Sequence, residues 1–424
     1  MLSLHSLRQD PESAINALIK RNIDARPIID NLLKINEQRR EIQKKTEILK
    51  AESNKTAKVI GTALREGDKS KADEIKKKTL LIKNELSTFE KKLTNLELNE
   101  REILLSIPNT PHRSVKNGSS SKDNEVISTW GDSPLPNNEL LPHWELTEKY
   151  NLIDFERGVK ITGAGFPVYK GKGARLQRSL IQFFLDRNTE MGFQEIQPPY
   201  FVNEASSFGT GQLPDKEGQM YHLEEDNLFV IPTSEIPLTN LYRNEIINES
   251  DLPIKMTAYS PCFRREAGSY GKDVRGLNRL HQFDKVEIVC IENPEKSYHR
   301  LDEMVAHVSG LLKDLGLQFR ILRLCGGDMG FTSALTFDFE VWSSAQKRWL
   351  EVSSVSNFET FQSNRLKLRY RKTLDKKTSL AHTLNGSALA IPRIVAALLE
   401  NNQKANSISI PEILHKYTGF KSIT

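Results

Sequence analysis

The chain has 424 residues, 38% apolar and 27% charged, with Lys+Arg 60 against Asp+Glu 55, a net charge of +5 that permits a polyanionic partner without requiring one. The apolar share lies below the roughly 45–50% of ordinary globular proteins, so a long segment is expected to face solvent, and no apolar stretch approaches the roughly 20 residues of a membrane span. Met1–Asp10 lacks an apolar signal core, and Cys262, Cys290 and Cys325 are too few and too scattered for a disulfide framework or a CxxC zinc site, which together predict a cytoplasmic protein with no membrane segment.

From Pro27 to about Ile107 the sequence is dense in Lys, Glu, Leu and Ile. Ile75, Ile82, Phe89, Leu96 and Ile103 recur every seven residues, and Ile28, Ile35, Ile42 and Leu49 repeat the spacing more weakly upstream. Gly61–Asp68 separates the two halves as a turn, so an antiparallel helical coiled-coil hairpin is expected over residues 1–107. Residues 108–145, with Pro108, Pro111, Pro134, Pro136 and Pro142 among Asn, Gly and Ser, have the composition of a linker. A further domain follows over 146–424. It begins with a helix near 172–192, then β-type runs at 193–201, 227–231, 255–264, 280–291, 335–342 and 349–357, with helices near 296–315 and 390–402. Most runs follow one another without a helix between them, which favours an antiparallel sheet and an α+β class.

The common chemical signatures are absent: there is no GxxxxGK[ST], no His-Glu pair of a zincin helix and no GxSxG elbow. The densest polar cluster runs from Phe263 to Val289 and reads as strand, long loop, strand. Its loop combines Gly268, Gly271 and Gly276 with Lys272, Arg275 and Arg279, a set suited to polyphosphate; by composition alone it reads equally as a basic surface hairpin. Alternation in the second strand puts Val286, Ile288 and Cys290 on one face, leaving Lys285 and Glu287 on the other, where a carboxylate is a candidate ligand for an ammonium group. Pro232-Thr-Ser-Glu-Ile-Pro237 and Thr383-Leu-Asn-Gly-Ser387 bring further polar groups, although the first is also a plausible turn with a helix cap and the second a loop leading into a helix. Glu351-Val-Ser-Ser354 offers oxygen ligands for Mg²⁺, but strict alternation puts Glu351 and Ser354 on opposite faces, so a bulge or strand end is needed there.

Taken together, the coiled-coil hairpin, Thr233-Ser-Glu235, Phe263-Arg-Arg-Glu266, His281-Gln-Phe283 and Asn385-Gly-Ser387 through Arg393 resemble the seryl-tRNA synthetases of the bacterial type. The resemblance implies a class II synthetase: an antiparallel sheet flanked by helices, a homodimer with its interface motif near Phe193–Pro199, and an N-terminal arm that grips tRNA. It assigns Thr233, Ser234, Glu235, Glu287, Thr383, Asn385 and Ser387 to L-serine together with Arg264. Arg264, Arg265, Glu266, Arg279, Phe283, Glu351, Val352, Ser353, Ser354 and Arg393 fall to ATP, and among these Arg264, Glu266, Arg279 and Arg393 carry the catalysis. Mg²⁺ falls to Glu351 and Ser354. The implied reaction joins serine to tRNA(Ser), and in this family also to tRNA(Sec), through seryl-adenylate. Arm lysines Lys44, Lys45, Lys50, Lys55 and Lys58 on one limb, and Lys69, Lys71, Lys76, Lys77 and Lys78 on the other, are the candidate phosphate contacts. Ala388 and Pro392 depart from the small residues or glycines often seen at their positions, and Arg265 lies where the family varies. A catalytically dead paralogue and an amino-acid:carrier-protein ligase are the alternatives.

Overall fold

A computed structural model of the chain describes residues 1–132, 140–215, 218–266 and 275–424. Pro134 and Pro136 of the expected linker, and Gly268, Gly271 and Lys272 of the basic loop, lie outside the described residues. The chain divides into two compact units, one formed by Leu2–Asn16 with Ile23–Pro108, the other by Asn109–Thr424 with Met1 and Ala17–Asn22. Among the described residues no helix is long and apolar enough to cross a membrane.

In the first unit, α1 (Arg26–Arg65) and α2 (Lys69–Ser106) form the hairpin. At 40 and 38 residues, each limb is roughly 60 Å long at 1.5 Å per residue. Pairs linking Asn36 to Glu100, Lys50 to Glu90 and Glu52 to Lys78 run in opposite directions along the two limbs, which makes them antiparallel. Ile29, Leu32 and Ile42 are buried on α1, as are Ile82, Leu96 and Leu104 on α2. Within this seam the buried Asn36 donates to Glu100 at 2.7 Å, and Arg39 reaches the same oxygen at 3.1 Å, a polar link of the kind that fixes register. The expected turn over Gly61–Asp68 is shorter in the structure: Gly61 lies inside α1, and only Glu66–Asp68 turn, with Gly67 at φ +79°. A helix tolerates one interior Gly at about 1 kcal/mol, whereas the left-handed step at Gly67 requires one. Asp68 then caps α2 by accepting from the Lys71 amide at 3.0 Å.

The second unit is built on an eight-stranded sheet. In chain order its strands are β1 (Glu125–Trp130), β2 (Gln194–Glu195), β3 (Ile254–Phe263), β4 (Gln282–Glu292), β5 (Phe319–Arg323), β6 (Leu335–Ser343), β7 (Arg348–Glu359) and β8 (His382–Ala390). Across the sheet the order is β1-β5-β6-β7-β8-β4-β3-β2, with every pair antiparallel except β3 and β2. The helices that bear on the site are α3 (His143–Lys149), α4 (Gly171–Glu190), α5 (Glu235–Asn240), α6 (Ser297–Asp314), α7 (Phe361–Leu366) and α8 (Ile391–Asn401). Val286, Ile288 and Cys290 of β4 join one core with Leu176, Leu180 and Phe183 of α4, Met304 and Val308 of α6, and Ile394 and Leu398 of α8. At about 1.5–3 kcal/mol for each fully buried apolar side chain, this face holds the unit together, while the other face of β4 carries Lys285 and Glu287 and then Val289 and Ile291, which join a second core.

Three expectations change. The run at 193–201 is a strand only over Gln194–Glu195, because Pro198 and Pro199 have no N–H to give a ladder; Phe201–Asn203 joins a separate small sheet. The linker over 108–145 contains β1 and the start of α3. β1 pairs with β5 although nearly all its residues are exposed, and Glu125 forms an ion pair with Arg323, so backbone ladder and charge rather than apolar burial bring it in. Asn385-Gly-Ser387 is the middle of the central strand β8, not a loop. Gly386 lies between β4 and β7, where an added Cβ would stand 3.1 Å from Val355.

Candidate active site

β4 and α5 bring the first group of side chains together. Glu287, 1% exposed, is surrounded by donors: the Thr233 hydroxyl at 2.6 Å, the Glu235 amide at 3.3 Å, Lys285 Nζ at 3.1 Å and Asn385 Nδ2 at 3.2 Å. Lys285 also donates to Thr233 Oγ1 at 3.0 Å. Glu235 lies beside this set and accepts from Gln362 Nε2 at 2.5 Å, while Gln362 Oε1 accepts from the Thr383 hydroxyl at 2.6 Å. Burial, and then the neighbouring Glu287 carboxylate, push the Glu235 carboxyl up to about 7, against the opposing Gln362 hydrogen bond and the cations Lys285 and Arg264. Ser387 stands opposite Glu287 across the ladder. Ser234 does not join the group, because its hydroxyl donates to Ser260 at 2.6 Å. The result is a buried cluster of two carboxylates, two hydroxyls and two amides around the Lys285 ammonium, a set whose carboxylates suit a small ligand with an ammonium group and a polar side chain.

The second group lies at the open end of the same strands. Arg264 follows β3, and its guanidinium stands 5.1 Å from the centre of the Phe283 ring. Glu266, held at φ +48°, forms an ion pair with Arg279. From the first turn of α8, Arg393 donates to the Asn278 carbonyl at 3.0 Å and to the Glu351 carbonyl at 2.7 Å. Arg265 is exposed and lies over Tyr221. One guanidinium therefore lies over an aromatic ring, while Arg393 is hydrogen-bonded to the residue just before Arg279, an arrangement of cations that suits a nucleotide with several phosphates.

β7 settles the Glu351 and Ser354 question. Glu340 pairs with Glu351 and Asp338 with Ser354, with a register shift between them. Asp338 and Glu340 are two apart and share a face of β6, so their partners share a face of β7; the bulge that alternation demanded is present. Val352 and Ser353 are buried, the Ser353 hydroxyl donating to the Ser387 carbonyl at 2.6 Å. Asp338 Oδ1 is buried with no partner among the described residues, and burial together with Glu351 raises its carboxyl well above the usual range. Among those residues no cluster of three or more His, Cys, Asp or Glu encloses a metal. The exposed Glu351 and the half-buried Ser354 share that face with Asp338, an oxygen donor set that fits Mg²⁺, which takes few protein oxygens and completes its shell with phosphate and water.

Sequence reasoning missed Lys285, Gln362 and Asp338 as members of these groups. Lys285 shares the Glu287 face by simple alternation, and Asp338 interrupts an apolar strand, so both left a signal. Gln362 left none, since only the fold carries α7 to Glu235.

Residues 1–111 match the seryl-tRNA synthetase N-terminal domain, and residues 220–402 match the tRNA synthetase class II core domain (G, H, P, S and T). Over 424 residues the chain is 50% identical to the serine–tRNA ligase of Salinibacter ruber, covering 100% of this chain and 99% of that one. The chain belongs to the seryl-tRNA synthetase family. Another relative, the serine–tRNA ligase of Clostridium tetani, is 44% identical over 100% of both chains. The seryl-tRNA synthetase of Pyrococcus horikoshii, solved in complex with ATP, superposes with a TM-score of 0.91 at 34% identity, over 100% of this chain and 99% of that chain. As a member of the seryl-tRNA synthetases the chain is an enzyme, an ATP-dependent ligase acting on serine and tRNA.

Proposed function

We propose that the site activates L-serine with ATP to seryl-adenylate and transfers the seryl group to the 3′-terminal adenosine of tRNA(Ser), with tRNA(Sec) as a second substrate. The observation that carries this reading is the buried pair Glu235 and Glu287, framed by Thr233, Thr383 and Asn385, with Arg264 near enough to act on Glu235 electrostatically. The two carboxylates receive the serine ammonium, and the hydroxyls and amides meet its side-chain hydroxyl. Alanine leaves those partners unpaired and threonine adds a methyl, so both are disfavoured.

The serine carboxylate is already ionised at neutral pH and needs no side-chain base. One of its oxygens bonds to the α-phosphorus as the bond to pyrophosphate breaks; the adenosine hydroxyl of tRNA then takes the seryl carbonyl and AMP leaves. Arg264 neutralises charge at the α-phosphate and Phe283 supports the adenine, with Arg393 covering the nucleotide. Arg279 reaches the outer phosphates by exchanging its Glu266 partner for them, which frees Glu266 for the adenine amino group. Glu351 and Ser354, with Asp338 beside them, would hold Mg²⁺, which would supply further neutralisation of the phosphates.

The hairpin serves as the tRNA arm. Of its lysines, Lys50, Lys76 and Lys78 are engaged in ion pairs with Glu90, Asp73 and Glu52, while Lys44, Lys45, Lys55, Lys58, Lys69, Lys71 and Lys77 are exposed for phosphate. A homodimer through the Phe193–Pro199 region is supported by exposed Met191 and Phe201 close by. Three unpaired, buried cysteines suit a reducing cytoplasm. The test is serine-dependent ATP–pyrophosphate exchange by the wild type and by Glu287→Ala and Arg264→Ala, followed by charging of tRNA(Ser). Near-normal exchange in either variant removes that residue from the site, and exchange without charging points to a carrier-protein ligase.

A further inference from the structure

Behind the nucleotide end lies a buried polar network that none of these roles uses. His143, which opens α3, and Glu400 of α8 are both 0% exposed in their side chains. Glu400 Oε1 accepts from the His143 amide at 2.9 Å, from His143 Nδ1 at 2.7 Å and from Gln346 Nε2 at 2.9 Å; Oε2 accepts from the Ser343 hydroxyl. On the other side of the ring, Nε2 lies 2.8 Å from the backbone nitrogen of Leu277. A backbone N–H only donates, so Nε2 is the acceptor and the ring proton sits on Nδ1, facing Glu400.

The imidazole thus ties α8 to the segment just before β4. Gly276 makes the approach possible, since a Cβ there would stand 2.3 Å from His143 Nε2, on a backbone at φ +67°. One residue beyond Leu277, Asn278 Nδ2 donates to Gln346 Oε1 at 3.0 Å, a second tie to the same network. The anchored segment then meets the cations. The Asn278 carbonyl accepts from Arg393 at 3.0 Å, and the next residue, Arg279, pairs with Glu266. The serine pocket is hung differently, on α5, β4, α7 and β8.

We propose that the buried His143–Glu400 pair is a positioning device for the nucleotide end, acting through the Leu277 amide to set Arg279 and Arg393 and so controlling the use of ATP but not of serine. The proposal rests on the reading of those two arginines as nucleotide ligands. Its prediction is a split: disturbing the anchor raises the KM for ATP in pyrophosphate exchange about tenfold, the effect of one lost buried hydrogen bond, and leaves the KM for serine within about twofold.

Two variants of the full-length protein test it. His143→Phe removes both ring partners, and His143→Gln, whose amide offers a donor and an acceptor, is expected to recover part of the loss. Because His143→Phe leaves Glu400 short of a partner and risks unfolding, Gly276→Ala is the second route: it displaces Leu277 from the ring while Glu400 keeps its donors, and gives the same ATP-selective defect. Hydrogen exchange at the Leu277 amide reads the anchor without ATP and is expected to be faster in Gly276→Ala and His143→Phe. Unchanged Leu277 exchange, or serine and ATP KM values that rise together in Gly276→Ala, overturns the proposal. Arg279→Ala separates the two layers: a wild-type KM for ATP in that variant contradicts the nucleotide reading, whereas slow Leu277 exchange in the anchor variants contradicts the anchor.

Discussion

The amino-acid end and the nucleotide end of the site share strand β4 but differ in how their polar groups are satisfied. At the amino-acid end, Thr233, Glu235, Glu287 and Thr383 are 5%, 6%, 1% and 1% exposed, and their partners are fixed side chains within the same pocket. At the nucleotide end the Arg279 side chain is 41% exposed and paired with Glu266, and Glu351 faces solvent. A pocket that must tell serine from alanine gains by holding its donors and acceptors in place beforehand, since the wrong ligand then leaves buried groups unpaired. Phosphates bring their own charge, so the cations that receive them need only stand close and exchange partners.

The sharpest way to break this comparison is Glu287→Ala. It leaves Lys285 buried without its carboxylate, so we expect a loss of about 3–5 kcal/mol in denaturant unfolding. Serine-dependent exchange is expected to fall on the order of 10³-fold. Arg264→Ala acts at the half-exposed end: exchange drops on the order of 10²-fold while the melting temperature stays close to wild type, and a large loss of stability would erase the distinction between the two ends. Deleting residues 38–96 shortens both limbs of the hairpin together; it should raise the KM for tRNA(Ser) on the order of tenfold and flatten its salt dependence, with exchange unaltered. An unchanged KM for tRNA would refute the arm.

The smallest expected effect is on pH. Glu235 titrates near 7 in the folded chain, above its value in the unfolded chain, so the native state binds the extra proton and stability falls as pH rises from about 4.5 to about 7. The ammonium of serine prefers the ionised carboxylate, so the KM for serine should rise as pH drops from 8 to 6, while Glu235→Gln should show a higher KM without that slope. A slope that survives in Glu235→Gln would assign the titration to another group.

What the sequence revealed differs between elements for physical reasons. The hairpin was legible because its seam repeats every seven residues and every contact it needs is announced by spacing; only the position of its turn was misjudged, since Gly61 and Gly67 look alike without their φ values. β4 was legible by alternation, including the face that carries Glu287. β1 was not, because its place depends on backbone pairing with β5 and on Arg323, almost two hundred residues away. The Thr-Ser-Glu segment was read as one unit, yet the fold turns Ser234 toward Ser260 and brings in Gln362, a residue with no local signal, to hold both Glu235 and Thr383. Residue types and strand faces are written locally; which distant side chain completes a buried hydrogen-bond set is decided by tertiary packing.

The measurement that tests the central claim most directly is ATP–pyrophosphate exchange by the full-length wild type with each amino acid in turn, without tRNA. A pocket preset for serine predicts exchange with serine, with alanine and threonine lower on the order of 10²-fold or more. Comparable exchange with alanine would contradict it, because the buried donors and acceptors around Glu235 and Glu287 would then contribute nothing to the choice of substrate.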